Sequence, residues 1–314
     1  KFNTCPEIKE MGPDFNPGSN HDLGKLLYDK LGYPVGKKRS VDKDVLGKCG
    51  YEWAEHLLTA RKYQKMAGTY LDGYRKEAVD GKIHGFLPLN RVSSFRGSHS
   101  DPNLGNISKR DKEALKILRS LFKPSPGNCI MEIDYSMLEA VIGCCYHQDP
   151  TMIMYMENPE ADIHSDTATR LYMRDRSFYP DSCPTAKNER SAAKSLVFGS
   201  TYGGGAETTH RAVWGALKAE TLEHLASKGI RTREQFKAHC EKVHKWMWTE
   251  QFKEYGAWRN KTHKDAVANG FFYSKTGFRY KGPSQYTQVI NFPTQGSAFH
   301  CLLWTLKNTS PMIR

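Results

Sequence analysis

The chain has 314 residues, with 46 Lys or Arg against 34 Asp or Glu, and its net charge of +12 favours a polyanionic partner, the alternative being a solvated basic surface. A composition of 39% hydrophobic and 25% charged residues describes a folded protein with room for two or three domains of roughly 100–200 residues each, and it excludes intrinsic disorder and fibrous architectures. No window approaches the ~18 consecutive apolar residues of a membrane span, and Lys1-Phe2-Asn3-Thr4-Cys5 lacks the apolar core of a signal peptide, so a soluble, cytoplasmic protein without a membrane partner is expected.

A turn-rich entry, residues 12–19, precedes an amphipathic helix with Leu23, Leu26, Leu27 and Leu31 on one face, ended by Gly32 and Pro34. A basic connector, Gly36 to Ser40, leads to a second helix from about Tyr51 to Arg75, with Trp53, Leu57, Ala60 and Gln64 at helical spacing. From Gly81 to Ile107 the composition turns to Gly, Ser, Asn and Pro with short apolar runs, which predicts strands and loops. Cys129 to Ile133 is predicted as a strand, followed at once by a helix carrying Leu138, Val141, Ile142 and Cys145 at i, i+3, i+4 and i+7. A helix is predicted from about Lys187 to Tyr202, closed by Gly203-Gly204-Gly205, and helical patterns continue through 217–226 and 234–268. Gly270 to Gly277 suggests a hairpin, and 285–306 is helical in pattern with an interruption at Pro293. The eight cysteines form no C-x-x-C pair, which fits a reducing compartment and makes zinc improbable.

Three stretches carry candidate chemistry. In Asp134-Tyr135-Ser136-Met137-Leu138-Glu139, an aspartate at a strand's carboxyl end can hold a hard cation such as Mg2+, or it is simply a turn residue; Ser136 and Glu139 have the spacing of a helix capping box. Arg190, Lys194, Phe198 and Tyr202 recur every four residues, so they form one slowly drifting stripe on a helix. Its cationic end can hold a triphosphate and its aromatic end can stack a base or sugar; the alternative is a solvated cationic end and a buried aromatic one. Residues 93–107 combine small residues with Arg96, His99, Asn103 and Asn106, which can meet phosphates or minor-groove base edges, or can be a plain polar loop.

Taken together, five motifs in order resemble those of the family A DNA polymerases, the bacterial DNA polymerase I class, in a form expected to be phage-type. They are Asp101-Pro102-Asn103-Leu104-x-Asn106-Ile107, Asp134-Tyr135-Ser136-x-x-Glu139, Asp162-Ile163-His164-Ser165-Asp166-Thr167-Ala168, Arg190-x-x-x-Lys194-x-x-x-Phe198-Gly199-x-x-Tyr202-Gly203 and Asn291-Phe292-Pro293-x-Gln295-Gly296-Ser297-Ala298. The resemblance implies an α+β right-hand fold: thumb portion 1–78, palm 79–140 and 271–314, fingers 141–270. It implies DNA-templated transfer from dNTPs to a primer 3′-hydroxyl, with primer–template DNA and dNTPs as partners and two Mg2+ ions. Asp134, with the Tyr135 carbonyl, would bind the metal; Arg190, Lys194 and His164 would hold the triphosphate. Glu139 would exclude a ribose 2′-hydroxyl, Phe198 would pack on the sugar, and Tyr202 would stand on the template side. Arg61, Lys65, Arg96, Asn103, Asn106, Arg279, Asn291 and Gln295 would contact DNA.

The sequence also departs from the family. Gly105 and Met137 stand where Gln is common, and Gly277-Phe278-Arg279 replaces a more basic run. The family's His-Asp-Glu motif, source of the second metal carboxylate, is absent from the 314 residues. A second polypeptide bearing that motif is expected, with another as a source of exonuclease and thumb elements; the alternatives are that the chain is a fragment of a longer polymerase or that the motif lies in a tail beyond these residues. The other readings are a non-catalytic DNA-binding subunit or fragment and a single-subunit RNA polymerase, against which Glu139 and Phe198 count.

Overall fold

The computed structural model describes residues 2–36, 38–107, 111–179, 183–215, 217–282 and 285–310. They fall into two compact units, residues 1–87 with 99–130 and residues 88–98 with 131–314. The first unit is helical: α1 (Pro6–Lys9), α2 (Asn20–Gly24), α3 (Lys43–Leu46), α4 (Glu52–Lys65), α5 (Asp72–Lys76) and, after a short antiparallel hairpin of β1 (Ala78–Val79) and β2 (Lys82–Ile83), α6 (Lys112–Ser120). Ser19 Oγ accepts from the Asp22 amide at 3.2 Å and so caps α2, which runs on as a π-helical turn, Lys25–Lys30. The predicted apolar face is real: Leu23, Leu26 and Leu27 are fully buried against Trp53, Ala54 and Leu57 of α4. Each such leucine contributes about 1.5–3 kcal/mol of transfer free energy, enough to order these short helices that would not form alone.

The second unit holds α7 (Leu138–His147), α8 (Pro150–Glu157), α9 (Ile163–Tyr172), α10 (Pro184–Thr201), α11 (Ala206–Trp214), α12 (Ala219–Ser227), α13 (Arg233–Trp246), α14 (Lys253–Asn269) and α15 (Tyr286–Thr309). Between α14 and α15 the predicted hairpin forms from β3 (Phe271–Tyr273) and β4 (Arg279–Lys281), antiparallel with Phe272 opposite Tyr280. The main core gathers Leu171, Tyr172, Leu196, Phe236 and Phe252. Inside it, Glu189 of α10 is fully buried, held by Arg174 through two nitrogens (3.1–3.2 Å) and by the hydroxyls of Tyr179 and Thr221 at 2.9 Å. A buried carboxylate so completely paired ties α9, α10 and α12 into one register.

Three expectations are corrected. Residues 128–135 form no strand; Ile130, Met131 and Ile133 are 60–70% exposed, because no described strand lies beside them to receive their amide and carbonyl groups. The predicted capping box is absent too. Met137 is the N-cap of α7 in a left-handed conformation (φ 50°), with no side-chain cap, and the helix buries Gly143, Cys144 and His147 while Val141 and Cys145 are exposed. Finally, α15 runs unbroken through Pro293. The ring removes one helical donor, and side chains from outside the helix bond nearby carbonyls: Tyr280 donates to the Phe292 oxygen and Tyr146 to the Pro293 oxygen, both at 3.1 Å.

Candidate functional site

α10 brings the stripe together. Pro184 occupies its first turn, and Ala192, Ala193, Leu196 and Val197 face the core, which leaves Lys194 and Phe198 on the outer side. Lys194 Nζ stands 5.5 Å from the Phe198 ring centroid, and the Phe198 and Tyr202 rings follow at 6.3 Å, inclined by 24°. The end of the helix needs glycine: Gly203 has φ +85°, and a Cβ on Gly204 would meet the Gly199 oxygen at 2.4 Å.

Arg190 is held through Nε and Nη2 by both oxygens of Asp162, at 2.7 and 3.1 Å. Asp162 also caps α9, accepting from the His164 and Ser165 amides. Burial alone would raise its carboxyl, but the hydrogen bonds from Arg190 and Ser165 outweigh burial and hold it well below the usual carboxylate range. His164 packs its ring 5.6 Å from Phe198, and its buried Nδ1 has no hydrogen-bond partner among the described residues. Burial, helped by the charges of Arg190 and Lys194 and opposed by Asp162, lowers it to about 4, so it is neutral at pH 7. Glu139 accepts a short hydrogen bond from the Tyr202 hydroxyl, which joins the start of α7 to the end of α10. Burial and that carboxylate together push the phenol up.

Behind the aromatic end of the stripe lies a cavity of about 410 Å3. Glu139, His164, Phe198 and Tyr202 line it together with Arg96, Asn291 and Gln295, so it gathers seven of the residues singled out from sequence. Gln295 Oε1 accepts from Ser94 Oγ at 2.7 Å, whereas Asn291 Oδ1 is buried without a partner among the described residues. Its inner wall was not foreseen. His147 stacks on Tyr255 at 3.9 Å; its Nδ1 accepts from the Asp149 amide at 3.0 Å, which puts the ring proton on Nε2. Burial pushes His147 down to about 4 against the pull of Asp149. Asp149 in turn accepts from the amides of Met152 and Tyr255, and the Tyr255 hydroxyl donates to the Thr201 oxygen at 3.0 Å. The signal for His147 is its i+4 spacing from Gly143, a small residue that gives the ring room.

Asp134 does not line this cavity; it is exposed in the irregular segment before α7, where the Tyr135 hydroxyl bonds Thr305 of α15. Arg279 lies in the hairpin with its guanidinium 4.3 Å from the Phe271 ring centroid. Arg61, Lys65, Asn103 and Asn106 belong to the first unit. There Arg61 donates to the Val41 oxygen at 3.0 Å and lines a polar cleft with Lys38, Arg39 and Asp42; Lys65 and Asn103 are exposed, and the Asn106 carbonyl accepts from Tyr70 at 2.6 Å. Among the described residues no three His, Cys, Asp or Glu side chains gather to hold a metal, and no helix is long and apolar enough to cross a membrane.

With this geometry, the comparisons with known proteins are specific. The family model described as DNA polymerase family A matches residues 4–312. The chain belongs to DNA polymerase family A. It is 33% identical over 201 residues to DNA polymerase I of Helicobacter pylori J99, a match covering 63% of this chain and 21% of that protein. It is 33% identical over 200 residues to DNA polymerase I of Geobacillus stearothermophilus, covering 61% and 22%. Against DNA polymerase I of Lactococcus lactis subsp. cremoris it is 34% identical over 205 residues, covering 63% and 23%. The matches thus span about a fifth of each of these family A relatives. Among solved structures, the POL domain of Pol1 from M. smegmatis, in complex with DNA primer-template and dNTP, matches with a TM-score of 0.71 at 23% identity, covering 97% of this chain and 53% of that one. That likeness shows the right-hand polymerase fold, of which this family A chain holds part.

Proposed function

We propose that the chain is part of a DNA-templated DNA polymerase, transferring nucleotides from dNTPs to a primer 3′-hydroxyl. The observation that carries this reading is the α10 stripe, with two cations followed by two aromatic rings and Glu139 bonded to Tyr202 at the cavity mouth. In this reading residues 1–78 form the thumb portion, 79–140 and 271–314 the palm, and 141–270 the fingers. The protein would work in a cytoplasm, that of the host if phage-encoded.

Arg190 and Lys194 offset the charge of the incoming triphosphate, and neutral His164 donates a hydrogen bond to it without adding repulsion between cations. Phe198 packs on the deoxyribose, and the carboxylate of Glu139, fixed by Tyr202, leaves no room for a 2′-hydroxyl. Arg96, Asn291 and Gln295, on the cavity wall, test base-pair shape from the minor groove; Arg61, Lys65, Asn103, Asn106 and Arg279 hold the duplex, mainly by phosphate. The 3′-hydroxyl attacks the α-phosphorus in line and pyrophosphate leaves.

Two Mg2+ ions, when bound, would supply charge to the attacking and leaving oxygens. The described residues fit this only in part: Asp134 gives one carboxylate and Tyr135 a carbonyl, fewer donors than two ions require. A segment carrying a His-Asp-Glu motif, on a further polypeptide or in the rest of a longer chain, completes the site in our reading. Support comes from apolar side chains left open around Asp134 and on α15, where Met131, Ile133, Trp304 and Leu306 are 50–70% exposed. The test is extension of a labelled primer–template by the chain with and without a polypeptide that begins at such a motif. Extension only with both supports the reading; DNA binding with no extension in either case favours a non-catalytic DNA-binding subunit, which the lack of a complete carboxylate cluster among the described residues also fits. Preference for ribonucleotides would favour an RNA polymerase.

A further inference from the structure

Arg259 of α14 is 4% exposed, and among the described residues no carboxylate pairs with it. Its guanidinium carbon lies 4.0 Å from the Trp248 ring centroid and 5.4 Å from that of Tyr286, and its Nε donates to the Tyr286 hydroxyl at 3.0 Å. Buried charges are as a rule paired, because two aromatic faces and one neutral hydroxyl do not replace the water a guanidinium loses. Nε is also the only one of its nitrogens with a hydrogen bond among the described residues, which leaves the outer edge of the fork for a ligand with two acceptor oxygens.

The surroundings say where such a ligand runs. One turn earlier on α14, Tyr255 donates to the Thr201 oxygen at the end of α10. His244 Nε2 lies 3.3 Å from both Trp248 Nε1 and the Gly204 oxygen. Thr287, next to Tyr286, packs so closely on Gly203 that a Cβ there would come within 3.0 Å of the Thr287 Cα. Arg259 therefore belongs to the support of the Gly203–Gly205 turn, directly after Tyr202.

We propose that Arg259 is an anchor for one backbone phosphate of the single-stranded template, where the strand passes the Gly203–Gly205 turn. The proposal rests on the polymerase reading, in which Tyr202 stands on the template side. A phosphate has the paired acceptor oxygens the fork needs, and the flanking Trp248 and Tyr286 hold the guanidinium plane so that little freedom is lost on binding.

The test measures binding of the full chain to a primer–template with a 5′ overhang and to the same duplex with blunt ends, over a range of salt. The unaltered protein should prefer the overhang. Arg259→Met should lose about tenfold in overhang affinity, the effect of one charge-assisted contact, and its salt slope should fall by about 0.7, the value of one single-strand phosphate. Blunt-end affinity should not change, and Arg259→Lys should keep the slope. A second measurement uses the unaltered protein, with neutral methylphosphonate linkages placed one at a time along the overhang. One position should cost about tenfold, and that cost should vanish in Arg259→Met. The scan on the unaltered protein reads whether one overhang phosphate is held even if Arg259→Met melts early, and Arg259→Lys then tests the assignment to Arg259. Equal overhang binding and equal slopes in wild type and Arg259→Met, or no sensitive linkage, would overturn the inference while leaving the polymerase reading in place. A wild type that binds overhang and blunt DNA alike would also overturn the inference alone, whereas one that binds neither would count against the polymerase reading itself.

Discussion

Asp134 is exposed and held by no described helix or strand, so removing its carboxylate disturbs little of the fold. In the proposed reading, where phosphate contacts elsewhere hold the duplex, Asp134→Ala should abolish nucleotide incorporation by the completed enzyme and leave primer–template affinity within about twofold. Incorporation near the wild-type rate would dismiss the metal assignment. Two histidines near the cavity make a different prediction. His147 and His164 are both lowered to about 4 by burial and stay neutral in the fold, yet in the unfolded chain they protonate near 6.5. Between pH 6.5 and 4 the unfolded state thus binds more protons, and stability present above 6.5 is lost as the pH falls toward 4. The melting temperature should drop steadily from pH 7 to pH 5, and His147→Gln should make that drop shallower. A profile equally steep in the variant would show that His147 takes no protons on unfolding.

Among the elements, α10 was legible in the sequence because its buried face and its four-residue stripe repeat on one helical period, and small residues leave no rival pattern. Lys194→Ala should raise the apparent KM for all four dNTPs together, a change confined to one dNTP being the result that rules out a triphosphate contact. Phe198→Tyr should admit chain-terminating dideoxynucleotides if its ring lies on the sugar, and unchanged discrimination would mean that it does not. What was not legible has a physical reason in each case. The run 129–133 has the composition of a strand, but a strand is a property of two segments, and its neighbour is not among the described residues. Pro293 reads as a break because the hydroxyls of Tyr146 and Tyr280, which serve the adjacent carbonyls, come from 147 and 12 residues away. His147, Asp149 and Tyr255 likewise meet only through the packing of α7, α8 and α14. The loop 94–97 and α15 depend on close approach: a Cβ on Gly296 would lie 2.5 Å from the Ser94 oxygen and 2.7 Å from the Tyr280 hydroxyl. Gly296→Ala should therefore cost about 1–3 kcal/mol of stability by overpacking. A melting temperature unchanged within a degree would show that the loop yields freely.

At the scale of the whole molecule, large apolar side chains stand open beside Asp134 and along α15. Ile133 is 70% exposed, Trp304 68% and Leu306 50%, and the Tyr135 hydroxyl bonded to Thr305 links the two segments that carry them. Exposed side chains of this size are open to contact with another part of a fold. The segment 128–135 lies in no described strand, so a strand pair added there would supply hydrogen bonds and apolar contact together. In the proposed reading the same strands carry the second metal carboxylate, so one association should restore both solubility and chemistry. The chain alone should bind primer–template with a steep salt dependence, expected of a protein with net charge +12, but should extend primers at no more than a trace rate. Mixed with a polypeptide beginning at a His-Asp-Glu hairpin, it should form a stoichiometric complex, lose its binding of apolar dyes, and extend primers in Mg2+. Replacing Trp304 by Glu should weaken that complex and lower extension in parallel, while DNA binding by the chain alone stays as it was. Vigorous Mg2+-dependent extension by the 314 residues alone would refute the need for a complement and turn attention to Glu132, two residues before Asp134, as the other carboxylate.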